Sequence, residues 1–247
     1  MGSSFKTQGI VIKRTNLGEA DRILTILTDR FGKIKAIAKG VRKTKSKLAG
    51  SLEPFMIIDF QLHEGKTFYI ITGASIKNDL SNLHLDLKRI SQIFYIGELI
   101  DKFIEEDHLN LSIFDLLKTA LEQVEQSNDD FILRIFELKL IESSGFKPQL
   151  FECVHCKTML SPGDNFWDEI EGGVICASCQ SKTKHGRKIS DNAIKILRLI
   201  EKDNFDLVGR LNLEKKLKKE LSDILSNYIK NILEKELCTE KFMKEFL

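Results

Sequence analysis

The chain has 247 residues, 42% hydrophobic and 30% charged, a composition that excludes a disordered protein. Its only prolines are Pro54, Pro148 and Pro162, so an extended proline-rich linker is excluded, and no apolar run approaches the ~18 residues of a membrane span. Lys and Arg total 38 against 36 Asp and Glu, and the net charge of +2 by itself points to no partner.

In chain order, the first segment, MGSSFKTQG, lacks the apolar core of a secretion signal, so a cytoplasmic protein is expected. Five short segments then read as strands: 7–14 (TQGIVIKR), 20–28 (ADRILTILT), 33–40 (KIKAIAKG), 55–62 (FMIIDFQL) and 67–76 (TFYIITGASI). They are β-branched or alternate polar and apolar residues with a period of two, and glycine-containing turns separate them. Eight of the fifteen glycines fall within residues 1–80. Five strands without an intervening helical pattern predict a small closed β-barrel, and the five-stranded OB type is the natural candidate. From about residue 83 the period becomes 3.6. Ile90, Ile93, Gly97, Ile100 and Ile104 line one helix face. Ser112 is the expected N-cap of a second helix with the stripe Leu116, Leu117, Ala120, Leu121 and Val124. Asp129 and Asp130 open a third, where the macrodipole favours acids, and Gly145 with Pro148 ends it. Ile189, Ser190 and Ile194 fit a hydrophobic staple around an N-cap serine, and a last long helix is predicted near 212–237. The predicted architecture is α+β and multidomain: a barrel domain at 1–80, and a helical domain at 81–247 interrupted by a cysteine-rich insert at about 150–182.

Charge divides the chain the same way. Residues 1–80 carry 14 Lys/Arg against 7 Asp/Glu, whereas 81–247 carry 24 against 29. The densest stretch is Arg30, Lys33, Lys35, Lys39, Arg42, Lys43, Lys45 and Lys47, with no acid among them. Such a run is usually a solvated face, but on a barrel it has the character of a groove for a polyanion. Lys33, Lys35 and Lys39 share a strand face by the period of two. Arg42, Lys43, Lys45 and Lys47 follow in a loop expected to be mobile enough to wrap a strand. Arg14 and Arg22 lie near strand ends and are expected to join the patch. Phe31, Phe60, Phe68 and Tyr69 are candidate stacking platforms, with core packing the more common fate of each.

Four of the five cysteines, Cys153, Cys156, Cys176 and Cys179, form Cys-x-x-Cys, nineteen residues, Cys-x-x-Cys. That spacing is the one expected of a four-thiolate zinc site, because each tight turn offers two sulfurs to one ion. The intervening loop is rich in turn formers and short of apolar residues, so a bound metal is expected to supply its stability. A disulfide is disfavoured in a cytoplasmic chain. A thioredoxin-like site would need one such motif opening a helix in a βαβ setting. His155 or His185 is an alternative ligand that four cysteines do not require. With every ligand position filled by protein, the site reads as structural rather than catalytic. No Gly-x-Gly-x-x-Gly, His-Glu-x-x-His or Gly-x-Ser-x-Gly is present, and Gly65-Lys66-Thr67 lacks the preceding glycine of a phosphate loop. A non-enzyme is expected.

Taken together, TQGIVIKRTNLGEADRILTILTDRFGKIKAIAKGVRK at 7–43 and LEPF at 52–55 resemble the N-terminal domain of the bacterial RecO recombination mediators. SSGFKPQLFECVHC at 143–156 and GGVICASC at 172–179 resemble that family's zinc-binding turns, with Lys157 where a glycine is common. The resemblance implies an OB-fold domain, a helical domain and a zinc finger. It also implies binding of single- and double-stranded DNA and annealing of complementary strands. Loading of RecA onto strands coated by single-stranded-DNA-binding protein, SSB, is implied as well, as is partnership with RecR and with the acidic C-terminal tail of SSB. A DNA-binding cytoplasmic protein is expected at the nucleoid. The alternatives are a zinc-containing OB-fold protein that binds RNA or the ribosome, and an adaptor whose basic face is idle.

Overall fold

The computed structural model describes residues 3–84, 86–106, 109–127, 129–183, 185–202, 205 and 211–240. By contacts the chain divides into two units, Met1–Asn128 with Cys238–Leu247, and Asp129–Leu237.

In the first unit, β1 (Ser4–Leu17), β2 (Asp21–Thr28), β3 (Gly32–Ala38), β4 (Ile57–His63) and β5 (Tyr69–Asn78) close into a barrel in the order β1-β2-β3-β5-β4. The long β1 serves two neighbours. Its first half pairs with β4 from Ser4↔His63 to Ile10↔Ile57, and its second half pairs with β2 from Gly9↔Thr28 to Leu17↔Asp21. The changeover falls at Gly9, where a Cβ would meet Ile26 Cγ2 at 2.7 Å and the Phe60 ring at 3.0 Å. Only glycine lets the backbone pass that close. A short parallel pairing of β3 with β5, Ala36↔Tyr69 and Ile37↔Ile70, completes the ring. Val11, Leu24, Ile26, Ile34, Ile58, Phe60 and Leu62 fill it. Phe60 is therefore core and not a stacking platform, whereas Phe31, Tyr69 and Phe5 form a half-buried cluster with ring centroids 4.5–6.5 Å apart.

Helices α1 (Leu87–Phe103) and α2 (Leu111–Gln126) group by contacts with the barrel. The N-cap of α2 is Asn110, not Ser112. The Asn110 side-chain oxygen accepts from Ser112 N at 3.1 Å and from the Ser112 hydroxyl at 2.6 Å. Two comparable caps stand two residues apart; the helix starts at Leu111, so Asn110 takes the position and Ser112 becomes a donor to it. Gly97 lets α1 approach Phe55, whose ring would lie 2.7 Å from an added Cβ. Phe55 is fully buried at φ 64°, its N–H donates to Val11 O, and Phe94 meets its ring edge-on at 5.1 Å. Glu98 anchors the returning chain by accepting from Cys238 N, Thr239 N and the Thr239 hydroxyl.

The second unit is built on α3 (Phe131–Ser143), which is buried from Phe131 through Leu138. Asp129 caps it, accepting from Phe131 N at 2.9 Å, and also holds Lys218 at 2.8 Å. Gly145, at φ 87°, ends it in a Schellman turn, with Gly145 N on Glu142 O and Phe146 N on Ile141 O. The segment expected to be loop carries a small sheet, β6 (Asn165–Asp168), β7 (Gly173–Cys176) and β8 (Arg187–Ile189), ordered β7-β6-β8. Each strand is only three or four residues long, too short for periodicity to register. One helical turn, α4 (Ala177–Gln180), follows β7. Helix α5 (Asp191–Lys202) starts at Ser190, whose hydroxyl accepts from Ala193 N and donates to Glu220. Helix α6 (Lys215–Leu233) is shorter than expected and stops at Glu234, which is left-handed at φ 51°. Trp167 of β6 is buried against Tyr228 of α6, edge to face at 5.4 Å.

Replacing Gly97 with Ala forces either α1 or Phe55 to move. The expected loss is about 1–3 kcal/mol of stability, read as a lowered midpoint in thermal denaturation.

Candidate metal centre and candidate nucleic-acid interface

Two backbone turns build the cysteine site. In the first, Cys153 N donates to Thr158 O at 2.9 Å and Lys157 N donates to Cys153 O at 3.0 Å, which folds Cys156 back beside Cys153. Lys157 takes the left-handed conformation, φ 59°, at the position where the sequence departs from the expected glycine. In the second, β7 delivers Cys176 and the turn α4 delivers Cys179. Val154 N on Val174 O at 3.0 Å ties the turns together. Cys153 and Cys179 are buried with Ile175, and Cys156 is exposed.

All four sulfurs lie within 4.8 Å of one another, and Cys156 Sγ is 3.7 Å from Cys176 Sγ. Four thiolates at about 2.3 Å from one tetrahedral ion would stand about 3.8 Å apart, so the set fits such an ion. No disulfide joins them, and neither His155 nor His185 belongs to the cluster. Thr158 draws the Cys156 thiol down to about 6. Burial, then the neighbouring sulfurs, pushes Cys179 up to about 12. A bound divalent cation would deprotonate all four alike.

The structure sorts the cations of the barrel. Lys39, Arg42, Lys43, Lys45 and Lys47 are exposed in the β3–β4 connection, and Arg22 is half-buried. Hydrogen bonds pin the start of that connection. Gly40 N donates to the Asp21 carboxylate, Lys43 N to Gly40 O and Ser46 N to Lys43 O. Arg42 ties it to the β1–β2 turn through its backbone N–H on Ala20 O and its guanidinium on Gly18 O. The β1–β2 loop is one that OB folds use for oligonucleotides.

Three expected members are engaged by acids instead. Lys33 is 6% exposed, and its ammonium donates to Asp101 O at 2.7 Å with the Asp101 carboxylate at 3.5 Å. Burial pulls its pKa down more than Asp101 restores it. Lys33 is thus a buried tie between β3 and α1, not a surface cation; alternation gives its side chain to the helix-covered face. Lys35 on the same face pairs with Glu106, and Arg14 pairs with Glu53 at 2.5 Å. Lys13 completes the network on Asp101 at 2.8 Å, and the two lysines hold that carboxyl low despite its burial. The sequence carried no sign of these partners, because Asp101 and Glu106 stand some 70 residues away.

Fold and site define a class: a closed five-stranded barrel followed by a helical region that carries a four-cysteine cluster. Residues 1–79 match the family model for the Recombination protein O N terminal, and residues 84–240 match that for the Recombination protein O C terminal. The "DNA repair protein RecO" of Dehalococcoides mccartyi is 38% identical over 233 residues, 94% of this chain and 92% of that protein. Those of Desulforamulus reducens and a Roseiflexus strain are 34% and 33% identical, over 97% and 98% of this chain and 93% and 85% of theirs. The chain belongs to the RecO family of DNA repair proteins, and its N-terminal barrel is the family's OB fold.

Because Lys157 occupies a left-handed position, Lys157→Gly is expected to raise stability by up to about 1 kcal/mol. A thermal melt with zinc present checks it, and the four sulfurs are left untouched.

Proposed function

We propose that this RecO-family chain binds single- and double-stranded DNA, anneals complementary strands, and assists loading of RecA onto SSB-coated strands. One observation carries the reading. Lys39, Lys43, Lys45 and Lys47 are exposed with no carboxylate paired to them among the described residues, on a connection fixed against the β1–β2 turn. Arg42 spends its guanidinium on a neutral carbonyl and so keeps its charge available. Arg22 lies in the strand that leaves this turn.

The mechanism is non-covalent. Phosphates are neutralised by fixed cations, counterions are released, and two strands held close lose most of their mutual repulsion. Base pairing then completes annealing. Residues 1–80 act as the DNA-binding module in this reading, and residues 81–247 hold the zinc finger. Cys153, Cys156, Cys176 and Cys179 hold one structural zinc, which braces β6–β8 rather than contacting substrate. RecR and the acidic tail of SSB are the proposed protein partners, in the cytoplasm at the nucleoid.

The triple reversal Lys39→Glu, Arg42→Glu, Lys43→Glu is expected to abolish DNA binding and to lower the melting midpoint only slightly, through loss of the exposed Arg42–Gly18 hydrogen bond. Wild-type affinity for single strands should fall with salt at a log–log slope near −0.7 per phosphate contacted. Lys33→Met serves as the contrast: it should leave affinity unchanged and cost about 1–3 kcal/mol of stability by stripping Asp101 of a buried partner. Normal binding by the triple variant would sink the assignment. A preference for RNA over DNA in direct competition, without strand annealing, would favour the RNA-binding alternative.

Metal analysis of the purified chain is expected to give about one zinc per molecule. Cys176→Ser should lose the metal and destabilise the second unit, with the barrel's DNA affinity retained.

A further inference from the structure

The lysines of β3 and its continuation form a graded series. Lys33 is buried and locked to Asp101. The Lys35 side chain is 39% exposed and pairs with Glu106, itself 47% exposed. Lys39, one residue past the end of β3, is exposed, with no carboxylate paired to it among the described residues. The cationic track of the β3–β4 connection therefore continues up β3 toward Lys35. It ends at carboxylates supplied from outside the barrel.

Glu106 does not reach Lys35 by chance. Its backbone forms a parallel bridge with Lys33, which fixes the residue alongside β3. The segment leaves α1 through Ile104, whose N–H still bonds Ile100 O, so the helix end sets its path. The two acid contacts differ in kind. The Asp101 contact to Lys33 is buried, and breaking it would leave an unpaired group in the interior. The Glu106 contact to Lys35 is a surface pair, worth little net energy and weakened further by salt. A polyphosphate already held at several lysines gains a further contact, with release of a counterion, by taking Glu106's place.

We propose that Glu106 is a built-in competitor for phosphate at Lys35, displaced when a nucleic-acid strand binds along β3. This rests on the proposed DNA binding by the barrel and deepens it. Glu106 limits affinity, because a strand that reaches Lys35 does so at the expense of that ion pair.

The test is a charge-neutralising cycle in the full chain: Glu106→Gln, Lys35→Gln and the double variant. Binding to a labelled oligodeoxythymidylate is read by fluorescence anisotropy across a salt series. Glu106→Gln is expected to tighten binding about threefold or more at an unchanged log–log salt slope, because Lys35 meets phosphate in the bound state of both chains. Lys35→Gln alone should change affinity little, because the phosphate contact it removes is offset by the ion pair no longer broken, and should lower the slope by about 0.7; in the double variant the gain should vanish. Unchanged affinity in Glu106→Gln would overturn the proposal. So would a gain that persists without Lys35, since it would then come from the general field of a lost negative charge. A misfolded variant cannot mimic the expected result, because affinity rises. Absence of binding by the wild-type chain would instead remove the underlying reading.

Discussion

The first unit depends on one strand keeping two partners. β1 pairs with β4 along its first half and with β2 along its second, and the exchange takes place over Gly9 and Ile10. Any side chain at Gly9 would collide with Ile26 and Phe60, so the bend and the core are one constraint. Closure of the ring pairs both edges of β1, β2 and β4 and leaves only the short β3–β5 seam lightly joined. The turn at the far end of β1 is then held where the β3–β4 connection can dock on it through Arg42. The placement of the exposed cations follows from the closure of the barrel rather than from their own preferences.

The same unit shows two fates for a lysine. Alternation along β3 puts Lys33 and Lys35 on a face that meets acids from α1 and the residues after it, while Lys39 escapes to solvent past the strand's end. Identical chemistry thus serves as cement at one position and as free charge six residues later. In the second unit the analogous contrast is among sulfurs. Cys153 and Cys179 face the small core with Ile175, and Cys156 stands at the surface. A metal there would join the two turns on the exposed side of the small core they share.

Much of this was legible in the linear sequence. The strands showed because β-branched residues alternated between glycines. The cysteine pairs showed because two turns must each present two ligands. The helix stripes showed because their apolar faces are wide. What escaped notice was long-range or short. Lys33 looked like a surface cation because nothing near it in sequence is acidic, and its partner Asp101 arrives only when α1 packs on the barrel. Ser112 fits the Ser-x-x-Asp pattern of a cap, yet the helix begins one residue earlier, at Leu111, and Asn110 caps it. The strands of the cysteine insert were hidden by their length, among them the one that carries Trp167. In each case the deciding contact was tertiary.

That indole has a practical corollary. Trp167 is the chain's single tryptophan, and it sits within the second unit with its ring against Tyr228. Its emission is therefore a domain-selective optical reporter. Excited beyond the tyrosine band, it tracks opening of the cysteine-bearing half, while the first unit, which holds Tyr69 and Tyr95 but no indole, does not contribute. Chelation and chemical denaturation of the two halves are separable in one cuvette without attaching a dye.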